Sequence, residues 1–309
     1  MPELPEVETI RRQLAPLVEG RRMRSVEILD PRWSRPLAPA ELAGALEGRR
    51  VLALRRRGKY LLWDLEGEVH LAQHLRMTGA VLADPSPEPP HTRVRIELGP
   101  RAGATRGAGG AGARRRVRLA ISDPRRFGTG ELLLGSEALE AFLAARLGRE
   151  PFDDDFTAAH LRSVMRGRRT PVKALLLDQR RVAGVGNIYA DEALFGAGIH
   201  PRRAAGALSA AQAGRLRETI IEALSAGIDS KGASIDDFRH VDGFRGSFQD
   251  RFMVHLREGE PCVRCGSTIV KMVVAGRGTY VCETCQPRPR LRRPGSPAGD
   301  RPRRPAGPR

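Results

Sequence analysis

Three groups of residues in this chain have types and spacings that could do chemistry, and the first stands at its beginning. The chain opens Met1-Pro2-Glu3-Leu4-Pro5-Glu6-Val7-Glu8. A methionine before a small residue such as proline is normally trimmed, which leaves Pro2 with a free secondary amine. An α-amino group has a pKa of roughly 7.7–8.0, so a useful fraction is uncharged near neutral pH. An uncharged amine can form a Schiff base with a carbonyl carbon. Glu3 stands beside it, and Glu6 and Glu8 follow. The plain alternative is a helix start, with Pro5 in the first turn and the glutamates at the positive end of the dipole.

The second group is Cys262-Val-Arg-Cys265, sixteen residues, then Cys282-Glu-Thr-Cys285. Two such pairs fit a tetrahedral zinc site of four thiolates on a β-hairpin. A redox dithiol, the rival, needs only one pair. A closed four-cysteine site is structural, so the metal is not expected to do the chemistry. The hairpin between the pairs carries Arg277, flanked by Gly276 and Gly278. An arginine on a rigid turn suits a phosphate, although a solvated turn arginine has the same spacing.

The third group sits on glycine-bounded turns. Gly184-Val-Gly186-Asn187 separates two helical stretches and could offer amides and an Asn187 side chain to a phosphate. Arg56-Arg57-Gly58-Lys59-Tyr60 reads as a hairpin tip, with Lys59 a phosphate anchor or a solvated turn residue. His74-Leu-Arg76-Met77-Thr78-Gly79 and Asp123-Pro-Arg125-Arg126-Phe127-Gly128 carry side chains that could wedge into a base stack. Taken alone, Met77 and Phe127 are more often core residues.

The elements that must position these groups follow from periodicity. Residues 5–20 repeat Val7, Ile10, Leu14 and Leu17 at helical steps. Strand character follows at 25–29, 51–55, 60–65, 69–75, 93–98 and 117–121, which predicts a β-sandwich or barrel over residues 1–135. Helices follow at 138–147, 157–166, 188–195 and after Ser209, whose spacing to Gln212 fits a capping box. Thr170-Pro171 reads as a cap and a first helical residue, opening a helix through Leu177. The fold class is therefore α+β in several domains. The expected bounds are 1–135 for the β-sandwich, 136–240 for a helical domain and 241–286 for the cysteine ribbon, then a basic tail at 287–309. The tail, rich in proline and arginine, is expected to be disordered. The Gly-, Ala- and Arg-rich segment 99–116 reads as a flexible inserted loop.

Composition narrows the partner. The 309 residues hold 53 Lys plus Arg against 36 Asp plus Glu, a net charge of +17. That excess points to a polyanion, either nucleic acid or an anionic membrane surface. No run approaches the roughly 18 apolar residues of a membrane span, and the acidic start does not read as a signal peptide. The clustering of all four cysteines argues against a disulfide-stapled secreted protein.

These pieces occur together, in this order, in one family. MPELPEVETIRR, RRRGKYLLWDL, HLRMTG, DPRRFG, GVGNIYADEALF and CVRCG…GRGTYVCETCQ resemble formamidopyrimidine-DNA glycosylase, over residues 1–286. Leu4 separates the chain from the related endonuclease VIII branch, which typically has glycine there. The resemblance implies a two-layered β-sandwich, a helix–two-turn–helix domain and a zinc ribbon, with damaged double-stranded DNA in the cleft between the halves. It implies that Pro2 attacks C1′ of the damaged nucleotide, that Glu3 is the acid that helps open the sugar, and that Glu6 supports the site. Lys59 would contact DNA near the lesion and assist catalysis. Met77, Arg125 and Phe127 would fill the space of the flipped base, and Lys173, Asn187 and Arg277 would hold phosphates. It further implies oxidised purines as substrates, β,δ-elimination, one structural zinc ion, a monomer, and a bacterial cytoplasmic, nucleoid-associated protein. Two other readings stand beside it: the same chemistry on oxidised pyrimidines or abasic sites, and a DNA-binding protein without catalysis. The chain departs from the family pattern at Val254-His255-Leu256-Arg257, where a Tyr-Gly-Arg-like sequence is usual, and along 231–249, the region that closes over the flipped base.

Overall fold

The computed structural model describes residues 2–101, 115–234, 241–243 and 245–289. Most of the 99–116 insertion, part of 231–249 and the tail beyond 289 lie outside the described residues. Helix α1 (Leu4–Val18) opens the chain and buries Leu4, Val7, Ile10, Leu14 and Val18 along one stripe. It spans two cores. Leu4 packs with the helical half, and the other four belong to the sandwich.

The sandwich consists of two antiparallel four-stranded sheets. Its strands are β1 (Arg21–Ile28), β2 (Val51–Arg57), β3 (Tyr60–Leu65), β4 (Val69–His74), β5 (Ala80–Ala83), β6 (Thr92–Arg101), β7 (Val117–Ser122) and β8 (Thr129–Leu134). The sheet orders are β1-β6-β7-β5 and β2-β3-β4-β8. Alternate residues Val94, Ile96 and Leu98 of β6 and Leu61, Trp63 and Leu65 of β3 share one core with α1. Helix α2 (Pro39–Leu46) adds Leu42 and Leu46 to it.

Sequence periodicity finds six of these strands and misses α2, β5 and β8. In β8 the reason is physical. Gly128 closes a turn motif, and a second glycine two residues on breaks the strand pattern, but Gly130 is a strand residue under Trp33. A Cβ there would lie 2.2 Å from the indole ring, and its N–H donates to the Trp33 carbonyl at 2.8 Å. The glycine marks close approach, not a turn.

The helical half holds α3 (Ser136–Arg146), α4 (Ala158–Met165), α5 (Val172–Leu177), α6 (Asn187–Ala197) and α7 (Ala210–Asp229). Helix α3 covers the outer face of β3 and β4 through Leu139 and Phe142. Ser209 and Gln212 form the expected capping box on α7. Thr170-Pro171 behaves differently from expectation. Pro171 is the cap residue, and α5 begins at Val172. The cause is a short antiparallel pairing of 170–172 with 203–205: Val172 N–H donates to Arg203 O at 2.7 Å, and Ala205 N–H to Thr170 O at 2.9 Å. A backbone held in that extended pairing cannot yet be helical.

The cysteine ribbon pairs β9 (Val270–Val274) with β10 (Arg277–Val281). Ala275 and Gly276 make its two-residue turn with φ of 51° and 70°, the double positive φ that tight hairpins need. No helix among the described residues is long and apolar enough to cross a membrane.

The sandwich loops that carry Met77 and Phe127 share one support. Asp123 is 2% exposed, and its carboxylate accepts from the backbone N–H of Arg125 at 3.2 Å, Phe127 at 2.8 Å and Gly128 at 2.7 Å. The Thr78 hydroxyl of the other loop donates to the same carboxylate. We expect Asp123→Ala to cost about 1–3 kcal/mol, because it leaves three part-buried backbone donors and the Thr78 hydroxyl without their acceptor. It should also expose the amides of Phe127 and Gly128 to hydrogen exchange. Unchanged exchange at both would rule out the shared support.

Candidate active site

The chain start is fixed by Glu3. It precedes α1 and is 1% exposed, and Pro2 before it is also buried. One Glu3 carboxylate oxygen accepts from Ile188 N–H at 3.0 Å, in the first turn of α6. The other is buried with no hydrogen-bond partner among the described residues. This changes the reading of Gly184-Val-Gly186-Asn187. The helix N-terminus that could have taken a phosphate takes the Glu3 carboxylate instead. The glycines make room for it. A Cβ on Gly186 would sit 2.3 Å from the Glu3 carboxyl carbon, and one on Gly184 2.4 Å from Leu4.

Glu6 supports this arrangement. Its carboxylate accepts from Glu3 N–H at 2.8 Å, Tyr189 O–H at 2.7 Å and Ala233 N–H at 2.8 Å. Burial and the neighbouring Glu3 charge raise the Glu6 pKa, while these three donors pull it back. Tyr189 is itself fully buried, stacked on Phe248 with ring centroids 5.1 Å apart. Sequence reading passes over Tyr189, because a tyrosine on a helix face reads as core.

Lys59 occupies the turn between β2 and β3, at the hairpin tip expected for it. The arginines before it are all tied down. Arg55 pairs with Asp64, Arg57 with Asp153 at 2.8 Å, and Arg56 makes a two-pronged contact to Glu150 at 2.6 and 3.0 Å. Glu150 also accepts from Gly58 N–H, which fixes the turn. Arg56 reaches Glu8 as well, at 3.1 Å. Burial opposes ionisation of Glu8, but hydrogen bonds from Arg11 and Arg12 and the Arg56 charge prevail and hold it at about 2. Lys59 is 5% exposed and has no hydrogen bond or ion pair among the described residues. Burial lowers its pKa, Glu3 and Glu6 work against that, and Arg277 adds to it.

One cleft collects these groups. It has a volume of about 510 Å³ and is lined by Lys59, Met77, Phe127, Gly186 and Arg277. They come from the sandwich, the helical half and the ribbon. Glu3 lies directly behind Gly186. Met77 and Phe127 are 37% and 50% exposed, so neither is a core residue. Exposed Arg125 stacks over the Phe127 ring, 5.0 Å from its centroid. His74, Arg76, Leu177 and Gln179 complete the wall. Burial, with Arg76 and Lys59 nearby, holds His74 at about 3, hence neutral. Gln179 is absent from the sequence reading. It braces the 184–186 turn by accepting from Gly184 N–H at 2.9 Å and donating to Val185 O at 2.8 Å. A larger groove of about 670 Å³ lies between α4 and α7. Its lining of small residues and two arginines offers no acid–base pair.

Of the three residues expected on phosphates, Arg277 faces the cleft with no side-chain hydrogen bond or ion pair among the described residues. Asn187 donates to Gly278 O at 3.0 Å. Lys173 corrects the expectation. It is 0% exposed, paired with Asp191 at 2.7 Å and donating to Thr279 Oγ1 at 2.7 Å. An ammonium so enclosed cannot touch a phosphate without abandoning Asp191.

The four cysteines fit a metal. Their sulfurs all lie within 4.8 Å of one another, with Cys262–Cys285 at 3.9 Å and Cys265–Cys282 at 3.5 Å. A tetrahedron with Zn–S bonds of 2.3 Å has edges of about 3.8 Å. Four thiolates suit zinc, and the closed set leaves no position for a substrate.

Comparison with known proteins agrees with this geometry. Residues 1–130 match the N-terminal domain of formamidopyrimidine-DNA glycosylase, 147–239 its H2TH domain, and 259–288 a zinc finger found in that enzyme and in an isoleucyl-tRNA synthetase. The formamidopyrimidine-DNA glycosylase of Thermus thermophilus is 44% identical over 288 residues, 93% of this chain and 98% of its own. That of Ruegeria pomeroyi is 43% identical over 290 residues, 93% of this chain and all of its own. The Thermus thermophilus crystal structure superposes with a TM-score of 0.79 over 92% of this chain and 98% of that one. A Lactococcus lactis variant crystallised with Fapy-dG-containing DNA gives 0.82 at 34% identity, over 93% of this chain and all of that one. Its wild-type form has been crystallised with DNA containing an oxidised pyrimidine. The chain belongs to the formamidopyrimidine-DNA glycosylase family, the DNA glycosylases that act on damaged DNA in base-excision repair.

Proposed function

We propose that this protein is a bifunctional DNA glycosylase and abasic-site lyase that removes oxidised purines, 8-oxoguanine and formamidopyrimidines among them. The observation that carries this is the cleft into which the sandwich, the helical half and the ribbon deliver Lys59, Met77, Phe127, Gly186 and Arg277, with Glu3 behind Gly186 and Pro2 its neighbour in the chain. In this reading, residues 1–135 supply the nucleophile and wedges, 136–240 the seat of Glu3, and 241–286 a phosphate clamp.

The chemistry follows from the groups present. A base inside a duplex is out of reach at C1′, so the nucleotide must be extruded and its place filled. Met77 and Phe127, held exposed on Asp123-braced loops, fill the gap, and Arg125 faces the orphaned partner base. The lone pair of the Pro2 amine forms a bond to C1′, the glycosidic bond breaks with its electrons leaving on the base, and the proton lost from the amine nitrogen goes to that base. Glu3 protonates O4′ as the sugar ring opens to the iminium; its carboxyl oxygen without a partner is the atom available for that transfer. The iminium makes the C2′ proton acidic, and its removal expels the 3′ phosphate; a second elimination expels the 5′ phosphate. Lys59 steadies phosphate charge near the lesion, and Asn187 and Arg277 hold flanking phosphates. Zinc held by Cys262, Cys265, Cys282 and Cys285 would fold the ribbon and take no part in these steps. The substrate places the protein in the compartment that holds DNA, and we read it as a monomer. The Lactococcus lactis complex with an oxidised pyrimidine favours a second reading, in which pyrimidine lesions are also substrates.

Borohydride trapping tests the central step. Incubation with an 8-oxoguanine duplex and reductant should give a covalent protein–DNA adduct. Protein that retains its first methionine should give none, and adduct from that blocked form refutes the mechanism. Thymine glycol and abasic duplexes in the same assay separate the two substrate readings. Gly186→Ala should displace Glu3 and slow single-turnover excision by about 10²- to 10⁴-fold, the range of a lost acid. An unaffected rate would mean that Glu3 is not the acid. Cys262→Ser should lose zinc and weaken duplex binding at least about tenfold in a gel-shift titration, because the Arg277 hairpin folds around metal.

A further inference from the structure

We propose that Lys173 is a positioning residue for Arg277: a buried chain of polar contacts from Asp191 through Lys173 and Thr279 ends on the Arg277 backbone and sets where its guanidinium meets DNA. This rests on reading Arg277 as a phosphate contact.

The contacts are continuous. Asp191, on α6, is fully buried and lies 2.7 Å from the Lys173 ammonium. The ammonium donates to Thr279 Oγ1 at 2.7 Å and to Gly278 O at 3.2 Å. The Thr279 hydroxyl, 0% exposed, donates in turn to the Arg277 carbonyl at 2.9 Å. Each hydrogen is accounted for: Thr279 accepts from Lys173 and so has its own proton free for Arg277. Asn187 makes a parallel contact to Gly278 O. The other Asp191 oxygen takes His255 Nδ1 at 2.8 Å. His255 stands in the departing stretch before the ribbon and packs edge-on against Phe252 and Tyr280. The first residues of β10 are therefore gripped from α5 and α6, while the Arg277 side chain has no partner of its own among the described residues.

A side chain that must meet a phosphate gains from a fixed backbone, since the geometry is then set before DNA arrives. Such a role differs measurably from a phosphate contact by Lys173 itself. Two independent contacts multiply in their effects, whereas residues acting through one group do not.

The test is a double-mutant cycle on the full zinc-loaded chain. Its probe is a duplex carrying a tetrahydrofuran abasic analogue, titrated across a series of salt concentrations. Arg277→Ala should raise Kd about tenfold and reduce the salt slope by about 0.9, one phosphate's worth. Lys173→Met should raise Kd several-fold in the wild type and by less than about twofold in the Arg277→Ala background. Thr279→Val keeps both buried charges and so guards against loss of folding. It should show the same dependence at smaller size, with zinc content unchanged. If Lys173→Met and Arg277→Ala multiply, or if Thr279→Val binds like wild type in both backgrounds, the relay is wrong. If Arg277→Ala alone leaves Kd and slope unchanged, the phosphate reading of Arg277 falls, and the relay falls with it.

Discussion

The site depends on one carboxylate at one helix end. Glu3 meets the first turn of α6 through Ile188 N–H, and the glycines at 184 and 186 let it come so close. A carboxylate buried without partners costs several kcal/mol, so it persists only where donors and a favourable dipole receive it. The N-terminal end of α6 supplies both. The same contact draws Leu4 out of the sandwich and into the helical core. The chain end is thus pinned at the seam between two cores, where neither alone could hold it. If Pro2 is the nucleophile, as proposed, this seating orders an atom that chain ends otherwise leave loose.

Helix α6 carries this constraint to the ribbon. Its eleven residues span about 16 Å. At one end it receives Glu3. From the next turn Asp191 holds Lys173 and His255, and Glu192 accepts the backbone N–H groups of Met253, Val254 and His255 at 2.9, 3.0 and 2.9 Å. At its far end Phe195 enters the small ribbon core with Ile269 and Tyr280, under the Arg264 guanidinium. A ribbon with so few apolar residues cannot hold its own orientation. It takes rigidity from α6 outside, and its four cysteines would take more from a metal within. The distance from Glu3 to Arg277 is therefore set by one buried helix and not by a flexible linker.

What could be read from sequence divides along the range of the interactions. The Ser209 capping box and the two Cys-x-x-Cys pairs are local, and their residue types announce them. The β6 alternation is local too. The role of Gly186 is not, because its need for a bare α-carbon comes from Glu3, far away in the chain. Sequence reading sees a turn with spare amides, and the structure gives the Ile188 amide to the Glu3 carboxylate and the Gly184 amide to Gln179. Lys173 fails in the same way: its hydroxyl partner, Thr279, lies 106 residues on. A lysine in an arginine-rich chain looks like a DNA contact until its burial is known. Asp123 was visible as part of a motif, but its three backbone donors and Thr78 could not be inferred from spacing.

Charge pairing then separates the cations that build the fold from those aimed at a ligand. Along β2, Arg55, Arg56 and Arg57 each have a carboxylate partner. Two residues later Lys59 has none among the described residues, and neither do Arg76, Arg125 and Arg277. All four lie at or beside one cleft. Bringing these charges together costs folding free energy through mutual repulsion, seen in the downward push of Arg277 on Lys59. Elsewhere in the sandwich Arg22, Arg32 and Arg95 meet carboxylates, so the chain does not lack the means to neutralise these four. Leaving them bare is stabilised only when a polyanion enters, and the mutual repulsion in the cleft then becomes attraction for its phosphates.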